Sequence, residues 1–163
     1  MVPGHHVLLD REVAGQDLEA FRAAGGHAIV DLTTGGIGPD PTGLAALSRE
    51  TGVALILGAG FYTDAYVADA IKELPAEALA EIIESQVTDG AWGTDVRCGV
   101  IGEIGVSWPM TPFEERSLIA GAMAQQRTGA MINVHPGRHP EACGQICDVL
   151  EKAGADLSRV VLS

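Results

Sequence analysis

Cysteine and basic residues are both scarce in this sequence, and each scarcity excludes a class of protein. The 163 residues include three cysteines, at positions 98, 143 and 147, with no CxxC pair. An odd number of cysteines without such a pair does not indicate a disulfide framework, and it favours a protein of a reducing compartment. Cys143 and Cys147 share one helix face, where we expect them to act as small buried hydrophobes. Ten lysines and arginines against 22 acidic residues give a net charge of -12, which argues against non-specific nucleic-acid binding.

Long apolar runs and phosphate-binding loops are missing as well. No stretch of about 18 apolar residues is present, and the start MVPGHHVLLD lacks the basic flank and apolar core of a signal peptide. The absence of GxGxxG and GxxxxGK[ST] patterns counts against a nucleotide as ligand. We therefore expect a cytoplasmic protein without a membrane or nucleic-acid partner. Its 47% apolar residues are enough for a core in one domain spanning residues 1–163.

Short apolar segments alternate with helical patterns along the chain, which predicts βα units around a parallel sheet. A barrel of eight such units takes ~250 residues, so this length holds only about five. Either an open α/β sheet or part of a barrel fits the pattern. The predicted strands are 27–33, 53–60, 96–105, 129–136 and 159–163, and the predicted helices are 14–26, 41–52, 75–90, 111–129 and 139–154. Thr111 and Glu114 are spaced as a capping box at the start of the fourth helix.

The stretch GVIGEIG (99–105) places a carboxylate, Glu103, inside a segment typical of a buried strand. Burying a lone ionised carboxylate costs several kcal/mol, so Glu103 should have a partner. Arg97, six positions earlier, would lie roughly 20 Å away along an extended strand, which excludes a salt bridge within the strand. Active sites of parallel α/β folds lie at the carboxyl ends of the strands, where His135 closes the next predicted strand. A divalent metal is therefore a candidate partner. A helix-capping role for Glu103 and a structural role for His135 remain open.

Two other residues near the strand ends have simpler interpretations. Asp31 closes the predicted strand at 27–33, where capping a helix or bracing a loop is expected rather than catalysis. His27 begins the same strand at the opposite end of the sheet, which is the end that serves stability, and is expected to be structural.

Two long segments resemble a known family. Residues 93–163, with GVIGEIG followed by TPFEE and NVHPGRHP, are similar to the phosphotriesterase-like branch of the amidohydrolase superfamily. More narrowly they resemble the phosphotriesterase-related proteins, whose fourth strand carries GxIGEIG. Residues 21–62 resemble the second and third units of the same family, and the resemblance begins at Val7.

The resemblance implies a fold and a set of metal ligands. The family fold is a (β/α)8 TIM barrel with two divalent metals, expected to be zinc, bridged by a hydroxide at its mouth. The chain would then be a partial barrel of about five βα units. Glu103 corresponds to the ligand that bridges both metals, and His135 to a ligand of the second metal. His6 matches the second His of a first-strand HxH motif, in which Gly4 replaces the first.

The function implied is metal-dependent hydrolysis of a small-molecule ester, lactone or phosphoester, with Glu103 as the catalytic ligand. Phe61 and Tyr62 follow their strand and would line the substrate pocket, although ordinary packing of the loop over the barrel is the alternative. Arg138 and His139 follow His135 and would meet an anionic substrate, unless they are simply solvated loop residues.

Two other functions remain open. The chain ends at Ser163, ahead of the family's sixth-strand His and eighth-strand Asp, so we also consider a catalytically inactive barrel fragment that binds metal weakly or not at all. The unpaired edges of a partial barrel favour self-association, so a homo-oligomer is expected. An open α/β binding module is the third possibility.

Overall fold

The computed structural model describes residues 10–163 as strands alternating with helices. The strands are β1 (Ala28–Asp31), β2 (Ala54–Ala59), β3 (Val100–Gly105), β4 (Ile132–His135) and β5 (Val160–Leu162). The helices are α1 (Arg11–Ala23), α2 (Pro41–Thr51), α3 (Asp69–Lys72), α4 (Ala76–Thr88), α5 (Pro112–Thr128) and α6 (Ala142–Lys152). Two 3-10 turns, Asp64–Tyr66 and Leu157–Arg159, complete the described part of the chain.

The sheet has five parallel strands in the order of the sequence, β1-β2-β3-β4-β5. A doubly wound open sheet reverses its strand order at a switch point, whereas a TIM barrel adds each strand beside the previous one. The observed order therefore confirms the partial barrel and excludes the open sheet within residues 10–163. The carboxyl ends of these five strands lie at one edge, which is where Glu103 and His135 fall.

Local sequence signals explain where the helices begin. Asp10 caps α1, because its side chain accepts hydrogen bonds from the backbone N–H groups of Glu12 and Val13. This cap starts α1 at Arg11, earlier than the predicted residue 14. The capping box is confirmed at α5, where the Thr111 hydroxyl accepts from the Glu114 N–H and the Glu114 side chain accepts from the Thr111 N–H. The short helix α3 was not predicted, since four residues carry no measurable periodicity.

The core lies between the sheet and helices α4, α5 and α6, whose facing side chains exclude water. Its largest fully buried members are Leu79, Ile83, Ile101, Ile104, Leu118, Ile132, Ile146 and Leu150. The other face of the sheet is more open. Val161 alternates with the core-packed Val160 and Leu162 in β5, and it is 43% exposed. A partial barrel thus leaves apolar strand residues uncovered.

The three cysteines are free thiols in different surroundings. Cys98 is buried, and burial raises the pKa of its thiol to about 12, so this group stays protonated and unreactive at neutral pH. Cys143 is exposed and Cys147 only half-buried, so the expectation that both are buried in the core is wrong for Cys143. The reason is that the inward face of α6 is formed by Ile146 and Leu150. Within residues 10–163, no helix combines the length and apolarity needed to cross a bilayer.

Backbone contact between β2 and β3 makes Gly58 the most sterically restricted position of the sheet. A Cβ on Gly58 would lie 1.7 Å from the carbonyl oxygen of Gly102. We expect Gly58→Ala to lower the free energy of unfolding by about 3 kcal/mol, because the strands must separate to admit one methyl group. Gly144→Ala is the matched control, since a Cβ there meets nothing within 4 Å. That helical substitution should stabilise by about 0.5–1 kcal/mol. Urea unfolding followed by circular dichroism measures both, and equal effects would contradict the close packing.

Candidate functional site

Glu103 and His135 meet at the carboxyl ends of two neighbouring strands. The Oε2 atom of Glu103 lies 3.5 Å from Nδ1 of His135, with the two side chains 17% and 41% exposed. Parallel pairing of β3 with β4 brings them together, because Gly105 is paired with His135 and Ile104 with Val134. His135 is therefore the partner of the carboxylate in this structure. It belongs to the adjacent strand, as expected from the strand-end position of both residues.

An irregular backbone in β3 precedes Glu103. The register shifts between Ile101 and Ile104, the Gly102–Glu103 peptide is cis, and Gly102 has φ +109°. That φ is rarely adopted by residues with a side chain, and a Cβ on Gly102 would also lie 2.0 Å from the Asn133 carbonyl oxygen. Glycine is thus required where the strand turns to present Glu103. The Glu103 carbonyl oxygen accepts a hydrogen bond from the buried Thr34 hydroxyl at 3.1 Å.

Tyr62 lies beside this pair, in the loop after β2. Its ring centroid is 5.7 Å from that of His135 and 5.3 Å from that of Tyr66. Burial, and next the negative charge of Glu103, raise the pKa of the Tyr62 hydroxyl, whereas Arg138 acts in the opposite direction. The Tyr62 phenol therefore remains protonated at neutral pH and is available as a hydrogen-bond donor.

Phe61 points away from this group of polar side chains. It is 5% exposed, and its ring packs edge-on against Phe113 with centroids 6.3 Å apart. The side chain fills the core under the loop, which is the packing alternative considered from the sequence. A direct contact of Phe61 with substrate stays a prediction, while Tyr62 has the more favourable position.

Glu114 at the start of α5 joins two loops around the site. Its fully buried carboxyl group accepts hydrogen bonds from the backbone N–H groups of Asp64, Ser107 and Thr111, at 2.9–3.1 Å, and from the Ser107 hydroxyl. The Thr111 hydroxyl in turn donates to the Asp64 carboxylate. The loop after β2 and the loop after β3 are therefore held together by one side chain. The sequence revealed only its capping bond to Thr111, because the other donors come from distant or irregular segments.

The loop after β4 packs against the loop after β3. The imidazole of His139 stacks on the indole of Trp108, with centroids 4.1 Å apart and planes within 3°. A Cβ on Gly137 would lie 2.7 Å from the backbone of Ser107 and Trp108, so the two loops touch through their main chains. His139 Nδ1 accepts a hydrogen bond from the Glu141 N–H. Arg138 lies on this supported loop with its side chain exposed.

The remaining sequence candidates divide by position. Asp31 accepts a hydrogen bond from the Thr33 N–H at 2.9 Å, which braces the turn after β1 as expected. His27 precedes β1 at the opposite end of the sheet from Glu103. His6, the candidate ligand from the first strand, lies outside the described residues.

The donor set at the strand ends fits part of a zinc site. Bonds of about 2.0–2.1 Å in a tetrahedron place neighbouring donor atoms roughly 3.3 Å apart, close to the 3.5 Å between Glu103 Oε2 and His135 Nδ1. Carboxylate and imidazole are also ligands that zinc accepts. Among residues 10–163, no group of three or more His, Cys, Asp or Glu side chains is arranged to hold a metal.

Comparisons with known proteins agree with the fold. The sequence profile of the phosphotriesterase family matches residues 5–163. An N-acetyltaurine hydrolase from Xenopus tropicalis is 43% identical over 160 residues, which is 97% of this chain and 46% of that protein. A resiniferatoxin-binding protein from Rhodobacter sphaeroides has 42% identity and a TM-score of 0.91, covering 95% of this chain and 43% of its own.

A lactonase from Listeria monocytogenes is also similar, with 25% identity and a TM-score of 0.89, over 96% of this chain and 53% of the lactonase. The chain thus spans about half the length of the relatives it matches.

Removing one acceptor from the buried carboxyl group should loosen the loops around the site. Glu114→Gln replaces an oxygen with an NH2 group that faces backbone donors, so we expect a loss of about 1–3 kcal/mol in unfolding free energy. Glu115→Gln is the control, because Glu115 occupies the same first turn but is exposed. It should change stability by no more than about 0.5 kcal/mol. Chemical denaturation of both variants measures the difference in unfolding free energy. A Glu114→Gln variant as stable as the control would disprove that Glu114 holds the two loops together.

Proposed function

Because the chain belongs to the phosphotriesterase family, we propose that it carries part of a metal-dependent hydrolase site for small carbonyl or phosphoryl compounds. The observation that carries the proposal is the Glu103–His135 pair, 3.5 Å apart at the carboxyl ends of adjacent strands. This is the edge at which TIM barrels place their active sites. Neither side chain serves only to fill the hydrophobic core, since both are partly exposed to solvent.

Glu103 and His135 would hold a divalent ion, for which we propose zinc. When bound, such ions supply a Lewis acid that polarises the scissile group and lowers the pKa of water. Other residues of this chain would hold the two ligands in position. Thr34 and Gly102 fix the backbone of Glu103, and the Tyr62 ring lies against the imidazole of His135. His135 would then be a ligand of the second metal of the pair. The first metal, with His6 as its ligand, belongs to the same proposal, and Glu103 would be the ligand shared by both ions.

The substrate class follows from what the relatives act on. A lactonase opens a cyclic ester, and an N-acetyltaurine hydrolase cleaves an amide. Both reactions add water to a carbonyl carbon and release either an oxygen or a nitrogen leaving group. We place the substrate of this chain among small esters, lactones, amides or phosphoesters. In this site the protonated Tyr62 hydroxyl would donate a hydrogen bond to the substrate, and Phe61 would support the loop from below.

A second candidate is a catalytically inactive partial barrel that binds metal weakly. The observation favouring it is that Glu103 and His135 are joined by no third ligand within residues 10–163. Free thiols in all three cysteines support a reducing compartment such as the cytoplasm for either candidate.

Metal content separates the two candidates. We expect the purified chain to retain at least one zinc per chain after dialysis and to hydrolyse p-nitrophenyl acetate until EDTA is added. Glu103→Ala and His135→Ala should each weaken zinc binding roughly tenfold or more, since each removes a direct ligand. His27→Ala is the matched control at the other end of the sheet. Elemental analysis gives the occupancy, and zinc unchanged in Glu103→Ala would rule out the assignment. Far less than one zinc in the unmodified chain would favour the inactive partial barrel.

We propose that the chain self-associates, with a second copy of itself as its partner. β1 and β5 are the outer strands of the sheet formed by residues 10–163, and Val161 on β5 is 43% exposed. Covering apolar strand surface in a second copy would remove it from water.

Light scattering after size-exclusion chromatography tests this association. The chain should elute above its monomer mass of 16.9 kDa, and Val161→Glu should shift it towards the monomer. Val13→Glu is the control, because Val13 is similarly exposed, at 47%, but lies on α1. A monomeric unmodified chain would contradict the proposal.

A further inference from the structure

We propose that Cys143 and Cys147 form a binding site for a single soft metal ion, Cu(I), on the surface of α6. The helices α4, α5 and α6 cover the core on one face of the sheet, whereas Glu103 and His135 lie at the carboxyl ends of two strands. The two sites share no residue. Binding of Cu(I) by the cysteines is therefore independent of the proposed hydrolysis.

Both thiols lie on an accessible part of α6. Cys143 is exposed and Cys147 is half-buried, and both are free. Each follows a buried residue of the same helix by one position, Ala142 and Ile146, so the two thiols border the buried side of α6. A Cβ on Gly144 would meet no atom of another element among residues 10–163 within 4 Å. A dissolved ion can therefore reach this part of the helix.

The spacing of Cys143 and Cys147 suits a bridging ion better than a disulfide bond. Residues four apart on a helix have Cβ atoms about 5–6 Å apart, whereas a disulfide needs about 3.5–4.5 Å. A direct S–S bond would therefore distort α6. An ion with metal–sulfur bonds of about 2.3 Å spans sulfur atoms up to about 4.6 Å apart, which the two side chains reach by leaning towards each other.

The number of donors determines which ion fits. Zinc in a structural site takes four ligands, and no group of three or more His, Cys, Asp or Glu side chains in the described residues 10–163 is placed to hold a metal. Cu(I) is a soft ion that prefers sulfur and is stable with two such ligands. Each thiol loses its proton on binding, so the complex carries a negative charge, which is compatible with a solvent-exposed helix.

The third cysteine does not belong to this site. Cys98 is 4% exposed and packs in the core just ahead of β3. Its thiol is therefore closed to a dissolved ion, and it serves as the internal reference for the other two.

Anaerobic titration with Cu(I) tests the site on the full chain. Cu(I) is supplied as its acetonitrile complex and bicinchoninate competes for it, so the loss of the coloured bicinchoninate complex counts the ions that the protein holds. We expect the unmodified chain to hold one Cu(I) more than Cys143→Ser or Cys147→Ser holds. This difference leaves out any ion that histidines bind. Titration with Zn(II) should give equal binding in all three chains.

Cys98→Ala is the matched control, because it leaves as many thiols as either serine variant but keeps the pair on α6. It should retain the additional Cu(I).

Moving the pair along the helix tests the spacing itself. Cys143→Ser combined with Glu151→Cys places thiols at 147 and 151, again four apart, and should recover the ion. Cys147→Ser combined with Asp148→Cys places them five apart and should not. Glu151 and Asp148 are both exposed, so neither substitution disturbs the core.

The outcomes do not depend on any hydrolase assay. Loss of one Cu(I) in both serine variants, together with its recovery in the moved pair, supports the site even if the chain hydrolyses nothing. Equal Cu(I) in the unmodified chain and the serine variants would overturn the proposal, as would an equal loss in Cys98→Ala or a moved pair that fails to recover the ion. A difference in Zn(II) binding between these chains would overturn the assignment to Cu(I).

Discussion

Close approach of three strand backbones is the constraint on which the rest of this structure depends. Gly58 lets β2 touch the Gly102 carbonyl group, and Gly102 lets β3 touch the Asn133 carbonyl group. A side chain at either position would force the neighbouring strands apart. In β3 this would disturb the pairing of Gly105 with His135, which aligns the carboxyl ends of β3 and β4. The position of Glu103 opposite His135 is therefore a product of backbone packing before it is a product of charge.

A second layer of contacts holds the loops at this edge of the sheet. Glu114 collects hydrogen bonds from the loops after β2 and β3, and the Trp108–His139 stack joins the loop after β4 to the same surface. These interactions involve no residue of the Glu103–His135 pair, yet they determine where Tyr62 and Arg138 are presented. The site is thus built from rigid strand ends with braced loops above them.

The ligand types at the site favour a metal-dependent hydrolase, whereas the number of ligands does not by itself make a complete site. The Glu103–His135 pair has the donor types and spacing of two zinc ligands, while no third ligand joins it in residues 10–163. The chain covers about half the length of its relatives, so the activity of those proteins describes more chain than is present here. What residues 10–163 contribute is one side of a barrel mouth, with a carboxylate, an imidazole and a phenol grouped together.

The sequence by itself determined the alternation of strands and helices, the capping box at Thr111 and the strand-end positions of Glu103 and His135. Those features depend on neighbours within a few residues, through side-chain periodicity and local hydrogen bonds. The periodicity of the sequence did not decide between an open sheet and a partial barrel, because strand order is a matter of long-range pairing. The family resemblance favoured the partial barrel, and the strand order confirms it. Three positions followed only from the tertiary structure. The Phe61 side chain packs in the core, Glu114 accepts hydrogen bonds from two distant loops, and Cys143 is exposed. Each of these depends on groups far apart in the chain, whose meeting follows from how the whole sheet packs.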